Sequence, residues 1–116
     1  MNKEWIFKNS PFEMLDIAFK KLFSDIRYTA YLDDDIRADE DSEKVYGATH
    51  IDEDRKITIF LDYNLTINNA VEVFAHELAH AAVGAEHDHD EVWEKAFEDL
   101  FEEYHKIGDE MFGVEE

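Results

Sequence analysis

The feature that most constrains this chain is the pentapeptide His76-Glu77-Leu78-Ala79-His80, set inside the run from Val71 to Gly84. Residues four apart on an α-helix lie nearly one above the other, so the two imidazoles project from a single face. They can then share one ion with nitrogen donors at about 2.0–2.1 Å, the zinc–imidazole distance. Glu77 stands about 100° round the helix from His76, flanking that face, where a carboxylate can handle a water without ligating the metal. The bland alternative is two histidines packed against a core beside an ordinary solvated glutamate. It is disfavoured because imidazoles and a carboxylate are costly to bury for packing alone.

The pattern has chemical meaning only on a helix, and the flanking residues supply one. Thr66 follows Asn64-Leu65 as an N-cap, and Ile67, Ala70, Val71, Phe74, Leu78, Ala81 and Ala82 form an apolar stripe. Gly84 is placed to end the helix, so the two histidines fall in its last third.

The rest of the chain reads as support. Ser10 and Pro11 are a cap and first-turn proline, and Phe12, Leu15, Ala18, Phe19, Leu22, Phe23 and Ile26 recur at helical spacing. Tyr28 to Leu32 is a short strand-forming run, and the charged stretch from Asp33 to Glu43 is a loop. Its Asp33, Asp35 and Glu40 lack the ligand spacing and central glycine of an EF-hand. Val45–His50 and Lys56–Leu61 are expected to pair as an antiparallel hairpin across the polar turn 51–55, with Ile57, Ile59 and Leu61 on one face. His50, near the end of the first strand, reads as a surface or cross-strand residue.

Beyond Gly84, Asp88-His89-Asp90-Glu91 fits a capping box with Asp88 as N-cap. A last helix is expected to run to about Ile107, with Trp93, Ala96, Phe97, Leu100, Phe101 and Tyr104 inward and Gly108 ending it. Met111 and Phe112 can tuck back against the core. The expected fold class is α+β: an N-terminal helix, a small three-stranded sheet containing an antiparallel pair, the histidine-bearing helix and a C-terminal helix. The length suits one domain over residues 1–116.

Composition narrows the function classes. With no cysteine, disulfides, a thiol nucleophile and a cysteine zinc ribbon are excluded. No apolar run reaches a membrane span, and Met1 to Trp5 lacks the layout of a signal peptide, so a cytoplasmic protein is expected. The net charge of −19 repels nucleic acid and anionic membranes; residues 86–116 hold only Lys95 and Lys106 as bases. Such a surface attracts a basic partner or simply keeps the chain in solution.

The order His76-Glu-Leu-Ala-His80, a short glycine-containing spacer, then His89-Asp-x-x-Trp93 resembles the SprT-like zinc metallopeptidases and the related WLM and YgjP-type minimal zincins. The likeness covers residues 11–106 by layout, with specific motifs only within 45–97. It implies a compact minimal zincin core, with His76, His80 and His89 as ligands of Zn²⁺, Glu77 as the catalytic glutamate and Trp93 as the packing aromatic behind the ligand-bearing turn. Asp90 stands where those families usually have glycine, and the ribbon and basic surface that engage DNA have no counterpart here.

The activity so implied is hydrolysis of peptide bonds through a zinc-activated water, with Glu77 as general base and a protein or peptide, basic proteins included, as substrate. The hairpin edge over Lys56–Leu61 would hold an extended substrate, and His87, Tyr63 and Tyr104 are the candidates for a second oxyanion donor. His87 competes with His89 as third ligand. The capping box and the aromatic four residues on both favour His89, while Asp90, Glu94 or Glu98 would ligate in a gluzincin arrangement. A different class stays open: a non-catalytic acidic binding or inhibitor module, imitating nucleic acid, with a structural zinc site. Glu77 separates the two, since a purely structural site does not need it.

Overall fold

Each helix begins where a side-chain oxygen can take up an orphan amide. In the computed structural model, which describes residues 10–37, 43–84 and 86–112, Ser10 accepts from the Glu13 amide and opens α1, Pro11–Leu22. Thr66 accepts from the Asn69 amide and opens α2, Ile67–Val83. Gly84 closes α2 at φ +87°, a backbone state costly for any residue with a Cβ, and its amide donates to the His80 carbonyl. α1 is shorter than its apolar spacing implies. It stops at Leu22, since Phe23 leaves the helical backbone at φ −132° and residues 24–25 turn; Phe23 and Ile26 still reach the core from outside the helix.

Three strands form the sheet: β1, Tyr28–Asp33; β2, Gly47–Ile51; and β3, Ile57–Asp62, whose Ile57, Ile59 and Leu61 are buried on one face. β2 and β3 form the expected antiparallel hairpin, with Thr49 opposite Ile59 and Gly47 opposite Leu61. β1 pairs parallel to the other side of β3, so the order is β1-β3-β2 and the sheet is mixed. An antiparallel bridge joins Ile36 to Val45 across the acidic loop, whose residues 38–42 lie outside the described part.

This order corrects one expectation. Lys56–Leu61 offers no free edge, because β3 is bonded on both sides; the free edge beside the hairpin belongs to β2. The pairing also fixes which groups face outward. The Asp62 amide donates to the Tyr46 carbonyl and the Asp52 amide to that of Lys56, so residues 46, 48, 50 and 52 turn their backbone groups to β3. Gly47, Thr49 and Ile51 therefore turn theirs away, to the free edge.

α2 is the middle of the molecule. One side lies on β2 and β3, over Ile57, Ile59 and Leu61, and the other meets α1 and α3. Phe19, Leu15, Ile59, Leu78 and Leu100 are the largest fully buried side chains. The α+β class and the set of elements match the expectation: three helices around a small three-stranded sheet with an antiparallel pair.

α3, Glu91–Phe112, departs at both ends. Asp90, not Asp88, is its N-cap: the Asp90 carboxylate accepts from the Trp93 amide at 3.0 Å and its carbonyl from the Glu94 amide. At the other end Gly108 continues the helix, its missing side chain making room for the methyl of Met14 2.9 Å from where a Cβ would sit. The expectation for the side chains of Met111 and Phe112 lies outside the described residues.

Candidate metal centre

His76 and His80 project from one face of α2, and the loop after Gly84 brings His89 back over them. The three Nε2 atoms form a triangle with sides of 3.2 Å (His80–His76), 3.2 Å (His80–His89) and 3.0 Å (His89–His76). A neutral imidazole nitrogen either donates or accepts, so three of them converging cannot satisfy one another as hydrogen bonds. A tetrahedral ion bound at about 2.0–2.1 Å sets its ligands about 3.3–3.4 Å apart, close to this triangle. The donor set fits: these three histidines can hold a metal ion.

The surroundings of the two imidazoles on α2 favour the neutral form that binds a metal. Burial lowers the pKa of His76 and of His80 from the ordinary 6.5, and the neighbouring histidines push the same way. Trp93 packs behind all three, with ring centroids 4.8 Å from His76, 4.8 Å from His89 and 5.4 Å from His80. Its role as the aromatic beneath the turn is the one expected of it.

His89 reaches the site by a different route from the one its sequence context suggests. It is not in the first turn of α3. It stands one residue before the cap with φ +57°, a left-handed conformation uncommon for a side-chain-bearing residue. The Asp88 carboxylate lies 3.2 Å from its Nδ1, which leaves Nε2 for the triangle. His87 is turned elsewhere: its Nδ1 sits 2.8 Å from the second oxygen of Asp90. Asp90 thus caps α3 with one oxygen and anchors the loop with the other. Both contacts hold its carboxyl below the usual range, the Trp93 amide most strongly.

Glu77 is buried to 7% exposure. Its Oε1 accepts from the Thr49 hydroxyl at 2.6 Å, and the same hydroxyl lies 3.0 Å from the Glu77 carbonyl. Burial raises the Glu77 pKa from its ordinary value, with the Thr49 hydrogen bond opposing. β2 can come this close to α2 because residue 47 is glycine. A Cβ there would lie 2.6 Å from Val73 Cγ1 and 3.2 Å from Glu77 Oε2.

A cleft of about 510 Å³ opens over these groups, lined by Gly47, Thr49, His50, Ile51, Glu77, His80, Gly84 and Asp88. The chain matches no family model, no curated protein and no solved structure. The centre is therefore argued from its own geometry.

That geometry brings together all four residues expected to carry chemistry: His76, Glu77, His80 and His89. It leaves the oxyanion candidates outside the cleft lining. Tyr63 donates to Asp34, Tyr104 packs against Phe101 and His105, and His87 is held by Asp90. Asp90, Glu94 and Glu98 are not among the grouped metal donors. His50 is exposed and paired with Thr58, in keeping with its reading as a surface or cross-strand residue, and it also lines the cleft. Thr49 was missed altogether. The signal for it was period-two alternation: Gly47, Thr49 and Ile51 share the face opposite Leu61, Ile59 and Ile57, toward the helix.

Proposed function

We propose that the protein is a zinc-dependent hydrolase of peptide bonds, with His76, His80 and His89 holding Zn²⁺ and Glu77 as general base. One observation carries the reading: a buried carboxylate held by Thr49 lines the same cleft as His80 of the histidine triangle. A site that only stapled the fold would gain nothing from it, because desolvating a carboxylate costs stability.

Zinc, when bound, supplies Lewis acidity that polarises a carbonyl and makes water more acidic. The chain's own groups do the rest. Thr49 fixes one oxygen of Glu77, leaving the other free to take a proton from water and pass it to the departing amine. A raised pKa suits that exchange, since a base works best with its pKa near the working pH. The outward backbone groups of Gly47, Thr49 and Ile51 can pair with an extended peptide laid along β2, which would bring its carbonyls past the cleft. The resemblance to SprT-like peptidases supports the same chemistry on the same four residues. Among the described residues no helix is long and apolar enough to cross a membrane, and with the cysteine-free composition this fits a cytoplasmic setting.

The test is cleavage of a labelled unfolded protein by zinc-loaded wild type and by Glu77→Gln, with metal content measured for both. Wild type should cleave, and the variant should keep its zinc yet lose at least about a hundredfold in rate. No cleavage by the zinc-loaded wild type, or equal cleavage by Glu77→Gln, would overturn the reading.

A further inference from the structure

Gly47 and Glu77 belong to two clefts at once. Besides the large one over the histidines, a smaller cleft of about 250 Å³ lies on the other side of them, lined by Tyr46, Gly47, Glu72, Val73, His76 and Glu77. A peptide running along the β2 edge crosses both, so a side chain next to the bond held at Glu77 would enter the smaller one.

The chemistry of that cleft is specific. Glu72 precedes His76 by one helical turn, which puts it at the outer end of the row Glu72, His76, His80 on α2. Its carboxylate is exposed and has no ion pair or hydrogen bond among the described residues. Tyr46, 65% exposed, and the half-buried Val73 supply the walls. A lysine or arginine side chain matches each part. Its aliphatic stem can lie on Val73, its cation can sit on or beside the Tyr46 ring, and its head can meet Glu72. An acidic side chain would meet both Glu72 and Glu77. An apolar one would bury Glu72 without a partner.

We propose that the Tyr46–Glu72–Val73 cleft is a specificity subsite for a lysine or arginine flanking the bond to be cut, making basic polypeptides the substrate class. The inference rests on the hydrolytic reading of the metal centre and adds a substrate to it. The net charge of −19 works in the same direction, drawing positively charged chains to the molecule.

Three extended peptides, identical except for lysine, alanine or glutamate at the flanking position, provide the test. Their binding is read by fluorescence anisotropy on zinc-loaded Glu77→Gln, alone and combined with Glu72→Gln or Glu72→Arg. Cleavage is read on the same Glu72 variants with Glu77 intact. The lysine peptide should bind, and be cleaved, about tenfold better than the alanine peptide, the scale of one charge-assisted contact. Glu72→Gln should bring that ratio close to one, and Glu72→Arg should turn the preference toward glutamate. A lysine preference that is absent, or that survives Glu72→Gln unchanged, overturns the subsite. Selective binding that depends on Glu72 without any cleavage upholds the subsite and overturns the hydrolase. Cleavage with no dependence on Glu72 does the reverse.

Discussion

Asp90 and Asp88 do for the third histidine what the helix does for the first two. His76 and His80 are oriented by one another's spacing, which is a local property of α2. His89 has no such frame; Asp88 beside its Nδ1 and the Asp90 cap behind it hold a left-handed residue in place. This is why the pair on α2 was legible in the sequence while the route of the third histidine was not. A cap at residue 88 and one at residue 90 are both consistent with Asp-His-Asp-Glu; the structure has Asp90, which accepts from the Trp93 and Glu94 amides. The geometry gives a sharp expectation. His89→Ala should weaken zinc binding by about a hundredfold or more, beyond the 10–100-fold typical of losing a residue that only supports a ligand. His87→Ala should cost less than that, since His87 is tied to Asp90. Competition with a chromophoric chelator measures both, and a larger loss for His87→Ala would refute the assignment.

Among the elements, the contact of β2 with α2 decides whether Glu77 is held. β1 was readable as a β-prone run, the faces of β3 from alternation, and the hairpin from its polar turn. The place of β1 was not, because its parallel pairing with β3 depends on contacts remote in sequence, and with it went the position of the free edge. Gly108 misled for a related reason. A glycine at a helix end is usually a stop, but here Met14 of α1 packs against it and the helix continues. The two glycines should therefore respond differently to alanine. At Gly47 the new methyl meets Val73 Cγ1 at 2.6 Å on a packed helix, so Gly47→Ala should destabilise by about 1–3 kcal/mol, the usual cost of overpacking. It should also push β2, and with it Thr49, off Glu77. At Gly108 the obstacle is the flexible end of Met14, and alanine gains about 1 kcal/mol of helix propensity, so Gly108→Ala should be close to neutral. Denaturant unfolding of both variants checks the contrast. Equal losses at the two sites would contradict the tight β2–α2 approach.

For the molecule as a whole, metal, protons and stability are linked. A net charge of −19 strains the compact state by self-repulsion, and an ion that binds only the folded form adds stability in proportion to its saturation. Zinc at a hundred times its dissociation constant contributes about 2.7 kcal/mol, enough to raise the melting temperature by on the order of 10 °C in a chain of this size. Protons oppose it with a definite sign. His76 and His80 have folded pKa values below 6.5, so in falling pH the unfolded chain takes up protons first. Their contribution to metal-free stability is full above 6.5 and is lost as the pH drops toward the lowered folded values. Glu77 runs the other way, its raised pKa costing stability as the pH climbs past 4.5, so it cannot produce the same loss on acidification. Because zinc needs neutral imidazoles, its effect should follow the histidines. Thermal scans with and without zinc should show the full shift at pH 7.5, a smaller one near pH 6 and almost none by about pH 5, with chelator reversing the shift. A shift of the same size at pH 5, or none at pH 7.5, would mean that the three imidazoles do not hold the ion.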